Sequence, residues 1–269
     1  MRIGSRDFAT TGHTYIMGIL NVTPDSFSDG GKFNQIDAAL KHAEEMIRDG
    51  ADVIDIGGES TRPGYTKISD EEETDRVVPV IEAVKKEFEI PISVDTYKSG
   101  VAEAAAQAGA DLINDIWGLK YDPHMSEVIA KSGLACCLMH NRDNTEYRNF
   151  MEDVKQDLRE TIALAKAAGI ADDKIILDPG VGFAKSYENN LEVIRRLKEF
   201  NELKYPVLLG TSRKSVIGLT LDLPAAERVE GTIVTTVMAV EAGCMFVRVH
   251  DVKENHRAIQ MAEAILDRK

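Results

Sequence analysis

The sequence has no long apolar run, since no stretch approaches the roughly 18 uninterrupted apolar residues that a membrane-spanning helix needs. Its first seven residues also lack the apolar core of a signal peptide. Basic side chains are in the minority, with 32 Lys and Arg against 45 Asp and Glu, so the formal net charge is -13. This charge argues against general binding to nucleic acid or to an anionic membrane. Any anion that the protein binds must be captured by a local positive cluster.

Cysteine is also scarce, with three residues in 269 and no Cys-x-x-Cys spacing. Cys136 and Cys137 are adjacent inside an apolar run, and Cys244 precedes another such run. A disulfide framework is therefore excluded, and buried, reduced thiols are expected. Reduced thiols favour a cytoplasmic protein.

Eight short apolar runs of β type alternate with longer helical patterns. The runs cover residues 15–20, 53–56, 92–94, 112–113, 135–138, 175–177, 207–209 and 245–249. Seven of them are clearly followed by helix, which predicts an α/β fold of the (β/α)8 TIM-barrel type. A short N-terminal piece is expected to add a hairpin. No linker or low-complexity segment divides the chain, so we expect one domain over residues 1–269.

A weak internal repeat supports the barrel. In three places a glycine follows a helical pattern and precedes an apolar run, as expected for the left-handed residue that ends a helix. These glycines are Gly50, Gly109 and Gly243. Five residues after each glycine comes a polar side chain within or just after a buried strand. These side chains are Asp55, Asn114 and Arg248. Each must be satisfied by a neighbour or by a ligand.

The ends of the predicted strands carry most of the polar side chains with chemical potential. Nearly every run ends in a hydrogen-bonding or charged group, and the carboxyl ends of barrel strands are where active sites lie. We therefore expect a ligand site at this end of the barrel.

Asp178 and Lys214 place a carboxylate and an amine at the ends of neighbouring strands. The residue types alone leave three interpretations open. They are a structural salt bridge, a catalytic pair with Lys214 as a Schiff-base nucleophile, and two ligand contacts. A buried ion pair without further partners is costly, which favours a site that also contacts a ligand.

Two long motifs resemble the signatures of the dihydropteroate synthase family. The first is NVTPDSFSDGG at residues 21–31, and the second is GGESTRPG at residues 57–64. Five further motifs follow at strand ends in the family's order: SVDT at 93–96, IND at 113–115, DPG at 178–180, SRKS at 212–215 and RVHDV at 248–252. The resemblance therefore covers almost the whole chain.

This resemblance implies a transferase of folate biosynthesis. Members of the family join 4-aminobenzoate to the methylene carbon of 6-hydroxymethyl-7,8-dihydropterin diphosphate, which gives 7,8-dihydropteroate and pyrophosphate. They use Mg²⁺, and they are the target of sulfonamides, which mimic aminobenzoate. The implied partners are these small molecules and, through the late helices, a second copy in a homodimer. No nucleic acid or membrane is expected.

The resemblance also assigns roles to individual residues. The pterin contacts are Asp95, Asn114, Met139, Asp178 and Lys214. The diphosphate contacts are Thr61, Arg62, Arg248 and His250. The aminobenzoate contacts are Pro63, Phe183 and Ser212. The catalytic residues are Asn21, Arg62, Lys214, Arg248 and His250, with Asn21 as the Mg²⁺ ligand. Arginine suits the diphosphate, because its planar fork binds phosphate oxygens bidentately.

Catalysis at such a site is expected to be electrostatic. Mg²⁺ and the positive cluster stabilise the departing pyrophosphate, and the electron-rich dihydropterin supports positive charge at the methylene carbon. The aminobenzoate amine is neutral and nucleophilic near neutral pH, so no strong general base is required. Two loops, at residues 23–31 and 61–65, are expected to close over the site and exclude water.

Two segments depart from the family's pattern. The loop after the fifth strand reads MHNRDN at residues 139–144. The sixth strand ends in DPGVGFAK at residues 178–185, with Val181 and Ala184 as mild variants.

Three other functions remain to be separated. A pterin-binding methyltransferase that acts on methyltetrahydrofolate with a corrinoid protein would use the same pterin pocket but not the diphosphate contacts Arg248 and His250. A Schiff-base aldolase would use Lys214. A pterin-binding barrel without activity would bind but not turn over.

Overall fold

Eight parallel strands form a barrel in the computed structural model, which describes residues 1–23, 32–60 and 66–268. An N-terminal pair, β1 (Arg2–Ile3) and β2 (Arg6–Asp7), precedes them. The barrel strands are β3 (Tyr15–Asn21), β4 (Val53–Gly57), β5 (Ile92–Asp95), β6 (Leu112–Asp115), β7 (Ala135–Met139), β8 (Ile175–Asp178), β9 (Leu208–Leu209) and β10 (Phe246–Val249). They are hydrogen-bonded in the order β8-β7-β6-β5-β4-β3-β10-β9, and a parallel bridge between Leu177 and Val207 joins the two ends. The predicted TIM barrel is confirmed.

Helices connect successive strands on the outside of the barrel. They are α1 (Lys32–Asp49), α2 (Asp70–Glu87), α3 (Ser99–Ala108), α4 (Met125–Ser132), α5 (Phe150–Ala167), α6 (Tyr187–Arg195), α7 (Ser215–Leu221), α8 (Val229–Ala242) and α9 (Val252–Ile265). Short 3-10 helices lie at Asp172–Lys174, Leu197–Leu203 and Ala225–Glu227. Within the described ranges, no helix is long and apolar enough to cross a membrane.

Local sequence signals set several helix ends. Ser69 is the N-cap of α2. Its hydroxyl accepts the backbone N–H of Glu72 at 3.2 Å and so satisfies one unpaired donor of the first turn. Gly109 and Gly243 end α3 and α8 with φ angles of 106° and 82°. Gly50 follows α1 with φ 108°. The glycine repeat therefore marks helix ends, as predicted.

The two-residue period of the strands decides which side chains face the barrel interior. In β4, Ile54 and Ile56 pack outward against the helices, whereas Val53 and Asp55 face inward. Three other strands show the same step from an apolar interior residue to a polar one two residues later. The pairs are Leu112 and Asn114, Ile176 and Asp178, and Phe246 and Arg248. The interior is therefore apolar near the start of the strands and polar near their ends.

The predicted N-terminal hairpin covers the apolar end of the barrel. Ile3 and Phe8 are buried there with Met17, Cys137 and Phe246, and the backbone N–H of Phe8 donates to the carbonyl of Met1 at 2.8 Å. Fully burying a large apolar side chain contributes about 1.5–3 kcal/mol, so this cluster is a substantial part of the core. The three cysteines are buried and free, as predicted.

The strands run further than the apolar pattern indicates. Asp95, Asn114 and Asp178 were predicted to follow their strands, but each lies within the strand itself. The ladder continues because neighbouring strands hold it in place: Asp95 pairs in register with Asn114, and Met139 pairs with Asp178. Low strand propensity of polar residues does not end a strand that has a partner on both sides.

Candidate active site

The predicted site residues lie together at the carboxyl end of the barrel. Six of them are in the last residues of strands: Asn21, Asp95, Asn114, Met139, Asp178 and Arg248. Ser212, Lys214 and His250 follow β9 and β10 directly, and Phe183 lies in the loop after β8. Thr61, Arg62 and Pro63 lie outside the described residues, as do most of the two predicted closing loops.

Arg248 is the centre of a buried polar cluster inside the barrel. Its Nε donates to Asp55 at 2.6 Å, and its Nη2 donates to Asp95, also at 2.6 Å. Asn114 approaches the same Asp55 oxygen at 3.4 Å. The three polar residues of the glycine repeat therefore satisfy one another in part. Burial by itself would lower the pKa of Arg248. The carboxylates of Asp55 and Asp95 outweigh that effect, so the pKa lies above its usual value.

This cluster is incompletely satisfied. Oδ1 of Asp55, Oδ1 of Asp95 and the hydroxyl of Ser93 are buried, and none of them has a hydrogen-bond partner among the described residues. Burial raises the pKa of Asp95 to about 7, and the neighbouring Asp55 adds to the effect, while Arg248 opposes it. Unpaired buried acceptors are expensive in a native core. Their presence at this end of the barrel indicates a site that donors of a ligand complete.

Asp178 and Lys214 face a common space but do not form an ion pair with each other among the described contacts. Asp178 accepts the backbone N–H of Gly180 at 2.7 Å, and Lys214 donates to the carbonyl of Val181. Gly210 lies between them, because a Cβ atom there would be 3.6 Å from Oδ2 of Asp178 and 3.9 Å from Nζ of Lys214. The interpretation as a simple salt bridge is therefore not supported.

The charge states of this pair are shifted by burial. Burial raises the pKa of Asp178, and Lys214 offsets part of that increase. Burial likewise lowers the pKa of Lys214 to about 8, and Asp178 offsets part of that decrease. With a pKa of about 8, the Lys214 amine is still mostly protonated near neutral pH.

Aromatic and apolar side chains form one wall of the site. Met139 packs in a small cluster with Tyr97, Ile116, Trp117 and Phe183. The structure thus brings together the residue predicted beside the pterin, Met139, and the residue predicted beside the aminobenzoate ring, Phe183. Nζ of Lys214 lies 4.7 Å from the centre of the Phe183 ring, which is within the range of a cation–π contact.

Ser212 and His250 are in direct contact, although they were predicted to bind different substrates. The Ser212 hydroxyl lies 3.0 Å from Nδ1 of His250 and accepts the backbone N–H of the same residue at 3.1 Å. Beside them, Arg213 donates to Asp251 at 3.0 Å, so the loops after β9 and β10 are tied together. The contact between Ser212 and His250 joins the predicted aminobenzoate side to the predicted diphosphate side.

Oxygen ligands for a metal are sparse here. A Cβ atom at Gly57 would be 3.8 Å from Oδ1 of Asn21 and 3.7 Å from Oδ2 of Asp95, so both oxygens border the same space. Within the described ranges, no group of three or more His, Cys, Asp or Glu side chains could hold a metal ion. This donor set fits Mg²⁺ that takes its other ligands from water and from phosphate, and it does not fit a tightly bound structural metal.

Sequence reasoning did not assign three residues that matter at this site. Asp55 was noted as a polar residue in a buried strand, and the glycine repeat was the signal that placed it beside Asn114 and Arg248. Lys185 and His140 carried no such signal. Their side chains reach back from loops to contact each other at 2.8 Å, which no local pattern reveals.

Comparisons with known proteins agree with this geometry. Residues 17–250 match the model of the pterin binding enzyme family. The chain is 62% identical over 269 residues to dihydropteroate synthase of Clostridium beijerinckii, and the match covers 100% of both chains. A crystal structure of dihydropteroate synthase from Clostridium difficile in the presence of pteroic acid has a TM-score of 0.93 and 52% identity, covering 100% of each chain. Dihydropteroate synthase of Xanthomonas albilineans with 4-aminobenzoic acid has a TM-score of 0.90 and 41% identity, covering 94% of this chain and 93% of that one.

Proposed function

The chain belongs to the dihydropteroate synthase family, and from this premise we propose that it makes 7,8-dihydropteroate from 6-hydroxymethyl-7,8-dihydropterin diphosphate and 4-aminobenzoate. The observation that carries the proposal is the incompletely satisfied interior at the carboxyl end of the barrel. Within the part of the chain that the structure describes, Asp55 and Asp95 each keep a buried oxygen without a hydrogen-bond partner, while Asp178 and Lys214 border the space beside Gly210. A flat heterocycle with several N–H groups would supply the missing donors.

In this proposal the pterin lies between the polar interior and the apolar wall. Asp178 accepts from the ring N–H and the exocyclic amine, Lys214 donates to ring acceptors, and Asp95 and Asn114 complete the polar edge. Met139 packs against the ring. Gly210 leaves room for the ring, since a Cβ atom there would already contact Asp178 and Lys214 at 3.6 and 3.9 Å.

The diphosphate would bind on the side of Arg248 and His250. Asp55 and Asp95 hold two nitrogens of the Arg248 guanidinium and so fix its plane before the ligand arrives. Ser212 orients the His250 ring. A preorganised cation stabilises the charge that develops on the leaving group without reorganisation during the reaction. Thr61 and Arg62 remain predicted contacts on the same side.

Mg²⁺ would be held by Asn21 together with the substrate's phosphate oxygens. When bound, the ion supplies charge neutralisation for the departing pyrophosphate. A single amide oxygen gives little affinity by itself, so metal binding should depend on the diphosphate.

The chemical step exchanges one bond for another at the methylene carbon. Its C–O bond to the diphosphate breaks, the electron pair leaves with pyrophosphate, and the aminobenzoate nitrogen forms the new C–N bond and then loses a proton. Phe183, Lys214, Ser212 and Pro63 would position the aminobenzoate ring and carboxylate. The relatives are named dihydropteroate synthase, so the methyltransferase alternative is not favoured.

Assembly and location stay predictions. Apolar side chains are exposed on the late helices, among them Leu219 of α7, Val234 of α8, and Met261 and Ile265 of α9, which are 60–71% exposed. Such a surface suits the predicted homodimer, because large exposed apolar patches usually mark an interface. The three buried, free thiols suit the predicted cytoplasmic location.

The proposed function is tested by pyrophosphate release that requires both 4-aminobenzoate and Mg²⁺. Asp178→Asn should raise KM for the pterin diphosphate by roughly 10- to 100-fold, because an acceptor of two charge-assisted hydrogen bonds becomes partly a donor. Asp111→Asn is the matched control. Asp111 accepts from Lys85 and from the backbone of Ile92 at the opposite end of the barrel, so its KM should not change.

Two outcomes would refute the assignment. Wild-type protein that binds the pterin diphosphate but releases no pyrophosphate with 4-aminobenzoate would point to a binding protein. Covalent labelling of Lys214 by a carbonyl compound and borohydride would point to Schiff-base chemistry instead.

A further inference from the structure

Lys185 makes an unusually complete set of contacts for a lysine outside the predicted site. Its Nζ donates to the carbonyl of Gly180 at 2.9 Å and to the carbonyl of Phe183 at 3.1 Å, and it lies 2.8 Å from Nδ1 of His140. An ammonium group has three protons, and each has an acceptor here. Lys185 thereby links Gly180 and Phe183 within the loop after β8, and it connects this loop to His140 in the loop after β7.

His140 is held in a form that can accept from Lys185. Its Nε2 lies 2.9 Å from Asp157 of α5, and Arg142 also binds that carboxylate. Burial lowers the pKa of His140 to about 4, so the ring is neutral near neutral pH. A neutral ring that donates through Nε2 accepts through Nδ1. The contacts from Asp157 through His140 to Lys185 therefore connect helix α5 to the loop after β8.

The loop that Lys185 closes orients three proposed substrate contacts. The N–H of Gly180 donates to Asp178 at 2.7 Å, the carbonyl of Val181 accepts from Lys214, and the ring of Phe183 lies under the Lys214 ammonium. Asp178 and Lys214 have no direct bond to each other, but this loop backbone contacts the side chains of both. A shift of the loop would therefore change the orientation of both side chains.

The loop backbone needs such restraint. Gly180 has φ 69°, and a Cβ atom there would lie 2.0 Å from the carbonyl oxygen of His140. Ala184 has φ 47°, a left-handed conformation that costs a non-glycine residue roughly 1–2 kcal/mol. The hydroxyl of Tyr147 donates to the Ala184 carbonyl at 2.7 Å. Lys185 and Tyr147 thus hold the two ends of a strained segment.

We propose that Lys185, supported by His140 and Asp157, is a positioning residue that sets the spacing of Asp178 and Lys214 for the pterin. The inference rests on the proposed function and deepens it. Lys185 does not need to contact the substrate, because it acts through the carbonyls of Gly180 and Phe183. Burial lowers the pKa of Lys185 to about 7, so keeping its charged form at this position has an energetic cost.

The test compares Lys185→Met with Lys155→Met. Lys155 is also buried and also has three partners, but these are Glu152 of α5 and two residues of the 3-10 helix Leu197–Leu203, Glu199 and Glu202. Both variants should melt at a lower temperature. Lys185→Met should also raise the Kd for the pterin diphosphate, measured by calorimetry with Mg²⁺, by roughly 10- to 100-fold, while Lys155→Met should leave it within about twofold.

A double-mutant cycle separates positioning from general destabilisation. Because Lys185 acts through Asp178, adding Lys185→Met to Asp178→Asn should raise the Kd by much less than the product of the two single effects. If Lys185→Met does not fold, Lys185→Gln replaces it, since its amide keeps two donors. Multiplicative effects, or a folded Lys185 variant with wild-type Kd, would overturn the inference. Wild-type pyrophosphate release is measured first, so failure of the proposed function is recognised independently.

Discussion

The two ends of the barrel interior are built from the same strands but differ in the polarity of their side chains. At the amino end the interior side chains are apolar, and the N-terminal hairpin covers them with Ile3 and Phe8. At the carboxyl end the side chains two residues later in the same strands are polar, and buried oxygens of Asp55 and Asp95 have no hydrogen-bond partner in residues 1–23, 32–60 and 66–268. The amino end is closed by the hairpin, whereas the carboxyl end is open and keeps unused hydrogen-bond acceptors.

The difference separates residues kept for stability from residues kept for a ligand. The closed end contributes apolar burial, which favours folding directly. The open end buries the carboxylates of Asp55, Asp95 and Asp178 around Arg248 and Lys214, and replacing such groups by apolar residues is often neutral or stabilising. The polar end therefore weakens the fold and is explained by what it binds. Each prediction below contrasts one change at the open end with one at the closed end.

The largest effect is expected from Arg248→Met. Removing the guanidinium leaves Asp55 and Asp95 buried without a counter-charge, which should lower the free energy of unfolding by about 3–5 kcal/mol. It should also reduce kcat/KM roughly 100- to 1000-fold, because a preorganised cation for the leaving group is lost. Urea denaturation and pyrophosphate release measure the two effects.

Arg6→Met is the counterpart at the closed end. Arg6 pairs with Asp52 at 2.8 Å, but its side chain is 46% exposed, so the expected cost is about 0–1 kcal/mol with unchanged kinetics. Equal losses of stability in the two variants would mean that the buried cluster is no more demanding than a surface pair.

Asp95 should make the ligand-free protein less stable as the pH rises. Its folded pKa of about 7 exceeds the unfolded value near 3.9, so the native state binds this proton more tightly. The stabilisation that this proton gives to the folded state is fully present below about pH 4 and is lost as the pH rises to about 7. Its slope is at most about 1.4 kcal/mol per pH unit. Urea denaturation from pH 4 to 8 should show a flatter dependence for Asp95→Asn.

A closed-end variant again serves as the comparison. Phe8→Ala changes no titratable group, so it should lower the free energy of unfolding by a similar amount at every pH. If Asp95→Asn and Phe8→Ala both retained the wild-type slope, the titration would belong to another residue.

The closed end and the barrel itself were predictable because their signals are local. Gly50, Gly109 and Gly243 each mark the end of a helix, and the apolar run that follows each glycine marks a strand. Apolar periodicity needs no knowledge of distant partners. The same locality explains the error at the strand ends, where the predicted strands stop one residue before Asp95 and Asp178 although neighbouring strands keep both in the ladder.

The partners within the open end could not be predicted in the same way. Arg248 and Asp55 are 193 positions apart in the chain, and they meet because β10 and β4 flank β3 in the closed barrel. The family resemblance predicts Arg248 as a diphosphate contact, but it does not indicate that Asp55 and Asp95 bind its guanidinium. The contacts of Lys185 are harder to predict, because two of its three acceptors are backbone carbonyls, which every residue carries.

The smallest effect, and the finest contrast, comes from removing one hydroxyl at each end. Ser212 contacts His250 at 3.0 Å at the open end, and Thr14 donates to the carbonyl of Cys244 at 2.8 Å near the closed end. Each hydrogen bond is worth about 0.5–1.5 kcal/mol. In Ser212→Ala, the loss of this hydrogen bond should raise KM for the pterin diphosphate roughly 2- to 10-fold, because the His250 ring is no longer oriented. In Thr14→Ala, the loss of the hydrogen bond should lower the free energy of unfolding and leave KM unchanged. A Thr14 variant with altered KM would show that the two ends are coupled, and the division between a stabilising end and a binding end would then fail.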